Sequence, residues 1–147
     1  MLTAGDEIRS LLGRYCHLID AGDFAGIGAL MADAVLCTED GTPIARGAGE
    51  VAELYAGLVT LHADGTPGTQ HVVANTVLTE NDAGTVTARS SYVVLQALPD
   101  LPLQPIVTGS YVDTFDRDHA DRWRFRERRF SVGRAGVLDH HLAPGVI

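Results

Sequence analysis

The hydrophobic period of this chain changes once, near residue 68, and that change restricts the fold more than any other feature. Before it, apolar residues recur at helical spacing; after it, they alternate as in strands. Ile8, Leu11, Leu12, Tyr15, Leu18 and Ile19 form one helical stripe, with Thr3 and Asp6 placed to cap its start. Gly22 can end this helix, and Asp23 can cap a second one running from Phe24 through Ile27 and Leu30 to about Met31. Residues 34–39 read as a short strand, Gly41, Thr42 and Pro43 as a turn, and residues 47–62 as a third helix carrying Val51, Leu54, Tyr55, Leu58 and Leu61. Four β-rich runs follow, at 69–79, 85–98, 105–116 and 122–132. Their connections are the turn-rich 81–84, the Pro-rich 99–104 and the polar 117–121. Helices first and an antiparallel meander second define an α+β fold, three helices packed on one face of a strongly curved, mainly antiparallel sheet. Residues 1–147 are expected to form one domain, with a core over about 4–132 and a patternless tail at 133–147.

Composition excludes several function classes. A length of 147 residues gives room for one core and a cavity. No apolar run approaches the roughly 20 residues of a membrane span, and MLTAGDEIRS has no signal-peptide core, so a cytoplasmic location is expected. The net charge of -8 argues against nucleic acid, which requires a clustered excess of Lys and Arg. The one basic cluster, 122–129, alternates arginines with Trp123, Phe125 and Glu127, as a solvated strand face does. Cys16 and Cys37 match no redox or metal spacing and read as buried free thiols. His17, His62 and His119 are dispersed, and the pair His140 and His141 lacks ligands at metal spacing, so neither metal nor cofactor is expected. Phosphate-loop, G-x-S-x-G and cysteine-nucleophile motifs are absent.

Strand parity sorts the candidate pocket residues. His71, Val73, Asn75 and Val77 share one face of their strand, and Val86, Ala88, Ser90, Tyr92, Val94 and Gln96 share a face of the next. Both mix apolar residues with single polar ones, the composition of a ligand pocket. Tyr15 lies in the middle of the first helix's apolar stripe. Asp20 lies about 140° around the helix from Tyr15, where only the helix break at Gly22 would turn it inward. Tyr55, Asn75, Tyr92 and Gln96 are assigned to the pocket. Arg128 and Arg129 have opposite parity, so only one faces in; Arg129 is the pocket candidate. Periodicity alone leaves plain structural roles open: His71 as a satisfied core histidine, Asp20 as a turn cap, Tyr15 as a packing residue, Asn75 as a strand residue.

The segments RYCHLIDAGDFAGIGALMADA, TQHVVAN, GSYVDTF and DRWRFRERRF, in this order and spacing, resemble the SnoaL-like branch of the nuclear transport factor two superfamily, a cone-shaped α+β fold. That superfamily includes polyketide cyclases, ketosteroid isomerases, scytalone dehydratase, bile acid 7α-dehydratase, lindane dehydrochlorinase and members with no known activity. The dehydratases and the dehydrochlorinase share an aspartate ending the first helix and a histidine starting a long strand; Asp20 and His71 match these, and Tyr15 matches a tyrosine of bile acid 7α-dehydratase. Two tyrosines of scytalone dehydratase fall on Ile19 and about Thr38, its second histidine on Gln96 and its asparagine on about Tyr111. These departures argue against scytalone itself as substrate.

The resemblance implies a cofactor-independent acid–base lyase of dehydratase type, acting on a hydrophobic cyclic molecule such as a steroid or polyketide. Histidine suits the proton transfers, with an unperturbed pKa of about 6.5. Asp20 would fix its tautomer, and Tyr15 would donate to an oxygen that becomes enolate-like. Thr38, Tyr55, Asn75, Tyr92, Gln96, Tyr111 and Arg129 would line the pocket. One alternative is a ketosteroid-isomerase-like isomerase, with Glu39 or Asp40 as base, or a polyketide cyclase. Another is a non-catalytic ligand-binding or auxiliary subunit. A homodimer or higher homo-oligomer is expected through the sheet face carrying Val93, Leu95, Val112 and Thr114, with no nucleic-acid or membrane partner.

Overall fold

In the computed structural model, which describes residues 1–146, the first helix is capped at both ends by the residues that the sequence offers. Helix α1 (Ala4–Asp20) opens with a capping box: the Asp6 amide donates to Thr3 Oγ1 at 3.1 Å and the Thr3 amide to Asp6 Oδ2 at 2.9 Å. It closes in a Schellman motif, with the Asp23 amide donating to the Leu18 carbonyl at 2.9 Å and the Gly22 amide to Ile19 at 3.0 Å. Gly22 sits at φ 71°, and a Cβ there would stand 2.6 Å from the Gly65 carbonyl oxygen, so both conformation and close approach require glycine. Asp23 then caps α2 (Phe24–Leu30) through the Gly26 amide at 2.8 Å.

Strands β1 (Val35–Cys37) and β2 (Pro43–Arg46) form a small hairpin where the sequence suggested one strand and a turn. Helix α3 (Gly47–Leu58) follows. Strands β3 (Thr69–Glu80), β4 (Val86–Leu98), β5 (Leu101–Arg117) and β6 (Trp123–Ala135) complete a six-stranded sheet of order β2-β1-β6-β5-β4-β3. All pairs are antiparallel except β1 with β6. The three helices pack on this curved sheet in an α+β cone. Ile8, Leu12, Tyr15 and Ile19 of α1, Ile27 of α2 and Val51 of α3 are buried with Ala88, Val94, Tyr111, Phe115 and Phe125 of the strands. Full burial of each larger apolar side chain contributes about 1.5–3 kcal/mol. Among the described residues no helix is long and apolar enough to cross a membrane.

Several expected boundaries move for physical reasons. Helix α3 ends at Leu58 and not near residue 62, because the next residues pair with the C-terminal segment: Val59 bridges Leu142, and the Thr60 amide donates to the His141 carbonyl at 2.8 Å. Strand β5 begins at Leu101, after a tight turn, where a longer Pro-rich connection was expected. Pro102 and Pro105 are tolerated there because β6 pairs with β5 only from Val107 onward, leaving this end an edge strand. The tail has structure too: β6 reaches Ala135, and Leu138 and His141 are buried. Its final residue, Ile147, lies outside the described residues.

Two bulges matter for the site. Between Ala74 and Val77 the β3–β4 register shifts, with Asn75 at φ 56°. Between Thr114 and Phe115 the β5–β6 register also shifts: Thr114 faces Glu127 and Phe115 faces Phe125, so Arg126 is the additional residue. Each reverses the parity of every residue beyond it.

Candidate active site

Asp20 is the last helical residue of α1, and the first residues of β3 run beside it. Its carboxylate accepts three hydrogen bonds: from His71 Nδ1 at 2.7 Å and Thr69 Oγ1 at 2.9 Å on Oδ1, and from the His71 amide at 2.8 Å on Oδ2. A carboxylate only accepts, so Nδ1 of the His71 ring carries a proton, and in the neutral imidazole the lone pair is on Nε2. Asp20 needs no inward swing at the helix break: its side chain stays at the helix edge, 20% exposed, and β3 covers that edge. The His71 side chain is 4% exposed.

His71 is part of the wall of a cavity of about 540 Å³ between helices, sheet and C-terminal segment. Most of the lining is apolar, including Ile19, Leu36, Leu54, Val94, Phe130 and Leu138. The polar lining is concentrated in Tyr15, Tyr55, Tyr92, Tyr111, Arg128, His71 and His141. The hydroxyls of Tyr15 and Tyr55 are 3.0 Å apart. Burial first, and then Tyr111, pushes the Tyr15 hydroxyl well above its ordinary value against the pull of Arg128; burial and Tyr15 do the same to Tyr55. Both are therefore protonated donors at neutral pH. The Tyr15 ring stands edge-on to His71, centroids 6.3 Å apart, and edge-on to Tyr111 at 6.0 Å. Tyr92 stacks on Tyr111 at 4.4 Å and donates to the Ser131 carbonyl.

Behind the tyrosines is a buried ion pair. Asp113 Oδ1 and Oδ2 accept from Arg128 Nε at 2.7 Å and Nη2 at 3.0 Å, with side-chain exposures of 0% and 1%. Burial opposes the guanidinium's charge, but the charge and hydrogen bonds of Asp113 outweigh it and hold Arg128 above its ordinary value. Its guanidinium carbon lies 3.7 Å from the Tyr111 ring centroid and 4.3 Å from that of Tyr15, a cation between two π faces. Nη1 has no protein partner among the described residues.

Four pocket assignments are corrected. Arg129 is exposed and binds Glu127 at 2.7 Å, while Arg128 faces in, because the bulge at Arg126 reverses the parity counted from Phe125. Asn75 is exposed on the outer face, displaced by the bulge in β3 that turns Thr76 inward to Ser90 at 3.0 Å. Thr38 bonds Asp40 at 2.6 Å within the β1–β2 turn and does not reach the cavity. Gln96 is fully buried but is held in the wall, donating to the carbonyls of Pro67 and His140, each at 3.0 Å. Tyr55, Tyr92 and Tyr111 do line the cavity, as do Tyr15 and His71.

Glu39 and Asp40, the bases of the isomerase alternative, are exposed outside the cavity. Hydrogen bonds from Thr38 and Thr42 hold the Asp40 carboxyl down at about 2 and commit it to the turn. Among the described residues no three His, Cys, Asp or Glu side chains gather as metal ligands. Asp113 and His141 were missed from sequence, and Arg128 was weighed there but passed over for Arg129. Asp113 had a signal: it shares parity with Tyr111 and Phe115, and a carboxylate on an inward face demands a cation. His141 had none, because the tail carries no periodicity.

The model of the SnoaL-like domain matches residues 1–129. Among solved structures, ActVI-ORFA from Streptomyces coelicolor superposes with a TM-score of 0.72 at 18% identity, over 88% of this chain and 98% of its own. A variant of Rv3472, a protein of unknown function from Mycobacterium tuberculosis, gives 0.67 at 26% identity, over 95% and 82%. A proposed scytalone dehydratase from Novosphingobium aromaticivorans gives 0.67 at 17%, over 88% and 84%. No curated protein matches the chain at the level of sequence.

Proposed function

The chain belongs to the SnoaL-like family, and on that premise we propose that it is an acid–base lyase of dehydratase type whose substrate is a hydrophobic cyclic molecule bearing a carbonyl group. The observation that carries this reading is the 2.7 Å hydrogen bond between His71 Nδ1 and Asp20 at the wall of a largely apolar cavity. Asp20 holds the ring by two independent bonds, one to the side chain and one to the backbone amide of the same residue, so the direction of Nε2 is set by the fold.

In the proposed reaction, Nε2 removes a proton from the carbon beside the substrate carbonyl. The electron pair moves onto the carbonyl oxygen, where Tyr15 donates a hydrogen bond and Tyr55 supports it through the hydroxyl pair. Collapse of the enolate expels a hydroxyl from the next carbon. The imidazolium of His71 returns its proton to that oxygen, which leaves as water, and the product is a conjugated alkene. Asp20 stabilises the imidazolium during the interval without taking its proton. Apolar walls favour a fused-ring substrate and keep bulk water from the enolate.

The first step can be tested without knowing the natural substrate. 2-Tetralone, a fused-ring ketone, exchanges the protons beside its carbonyl with D2O, and proton NMR reads the rate. The wild type is expected to exceed the buffer rate by about 100-fold or more, the usual range for a positioned base, and His71→Ala to return it to the buffer value. A wild type no faster than buffer, or a His71→Ala variant as fast as wild type, removes the lyase reading.

A further inference from the structure

The cavity holds a second imidazole that the proposed reaction does not use. His141 belongs to the segment after β6, is 5% exposed, and lines the cavity beside His71, ring centroids 5.8 Å apart and planes at 60°. Main-chain bonds fix its position on every side. Its carbonyl accepts from the Thr60 amide at 2.8 Å, its amide donates to the Leu138 carbonyl at 3.0 Å, and the Ala143 amide donates to Leu58 at 2.8 Å. The neighbouring His140 carbonyl accepts from Gln96 Nε2 at 3.0 Å and pairs with His62 Nε2 at 2.7 Å.

The His141 ring, by contrast, makes no side-chain hydrogen bond among the described residues, and its Nδ1 is buried without a partner. An unpaired buried polar group costs about 1–3 kcal/mol. Leu138 and Leu142, on the same segment, show that this wall accepts apolar side chains. Burial, reinforced by His71, lowers the His141 pKa to about 4, so at neutral pH the ring offers one donor and one acceptor.

We propose that His141 is a substrate-binding residue, its imidazole pairing with a ligand oxygen held between it and His71. The substrate class narrows accordingly, to fused-ring molecules with a hydroxyl at that point. A hydroxyl there can donate to His71 Nε2 and accept from the His141 ring, each at about 2.8 Å, which places the leaving hydroxyl of the proposed elimination there. The inference rests on the cavity being a substrate site, and is independent of whether His71 acts as a base.

The test is a matched pair of probes, 2-naphthol and 2-methylnaphthalene, alike in shape and differing in the oxygen, titrated by calorimetry against the full chain. The wild type is expected to prefer 2-naphthol by about tenfold, the effect of one buried hydrogen bond. His141→Phe is expected to abolish the preference while changing 2-methylnaphthalene affinity by less than about twofold, and His141→Gln to keep part of it. As a check that needs no variant, the ring nitrogen NMR shifts of His141 in the wild type move with 2-naphthol and stay fixed with 2-methylnaphthalene. The inference is overturned if the wild type shows no preference or binds neither probe, if His141→Phe keeps the preference, if both probes weaken equally, or if the ring nitrogens do not respond. Failure of the tetralone exchange with this preference intact would remove the base and leave the binding residue.

Discussion

Replacing Asp20 by Asn tests the proposed dyad with almost no change of shape, and the three hydrogen bonds on the carboxylate set the outcome. The His71 amide requires an acceptor at the Oδ2 position, while His71 Nδ1 and Thr69 require one at Oδ1. An amide supplies one oxygen. If it takes the Oδ2 position, the NH2 group faces Nδ1 and drives the ring proton to Nε2, which removes the lone pair that the proposed reaction uses. If it takes the Oδ1 position, the NH2 group meets the His71 amide, donor against donor. The first arrangement spares the backbone and should prevail, at a stability cost of about 1–3 kcal/mol for the weakened partners. A wrong tautomer with preserved geometry lowers turnover by up to about 10,000-fold in hydrolase triads, so tetralone exchange is expected to fall at least about 100-fold. The assay is NMR exchange in D2O beside urea denaturation of the same samples. If Asp20→Asn loses stability but exchanges tetralone within about twofold of wild type, the pair is structural and the proposed mechanism is wrong.

Other perturbations have equally definite outcomes. Asp113→Asn leaves the buried Arg128 charge uncompensated and should cost about 3–5 kcal/mol in urea melts, whereas the double change Asp113→Leu with Arg128→Met should recover most of it. Gly109→Ala places a Cβ against the Ser131 carbonyl and the Tyr92 hydroxyl, so it should destabilise by about 1–3 kcal/mol or more and disturb the Tyr92–Tyr111 stack, read as a change in near-ultraviolet circular dichroism. His141, with its folded pKa near 4 and an ordinary value of 6.5, binds fewer protons folded than unfolded between those values. Stability should therefore fall as pH drops through that window, by on the order of 3 kcal/mol, and level off below it. His141→Phe should therefore flatten the pH–stability curve between about 4 and 6.5.

Much of the fold is determined locally. The capping box of Thr3 and Asp6, the Schellman stop at Gly22 and the Asp23 cap act within a few residues, so composition and spacing suffice to read them. The inward face of β4, Val86 to Gln96, follows from alternation over an unbroken stretch of strand. Tyr15 is inside because it lies in the middle of an apolar helical stripe, and that too is a property of the sequence. The site residues are a different case. Alternation states that Arg128 and Arg129 point opposite ways; only the bulge at Arg126, set by how β6 registers against β5, decides that Arg128 enters. A similar bulge in β3 sends Asn75 out. Helical geometry leaves Asp20 at an edge, and it meets His71 because a strand 49 to 51 residues later in the chain packs against that edge. His141 enters from a tail without periodicity, held by carbonyls and amides that sequence does not distinguish. Caps and stripes are local and repeat with the period of their element, whereas register, bulges and the docking of a terminal segment depend on partners remote in sequence, and in this protein those decide the chemistry of the cavity.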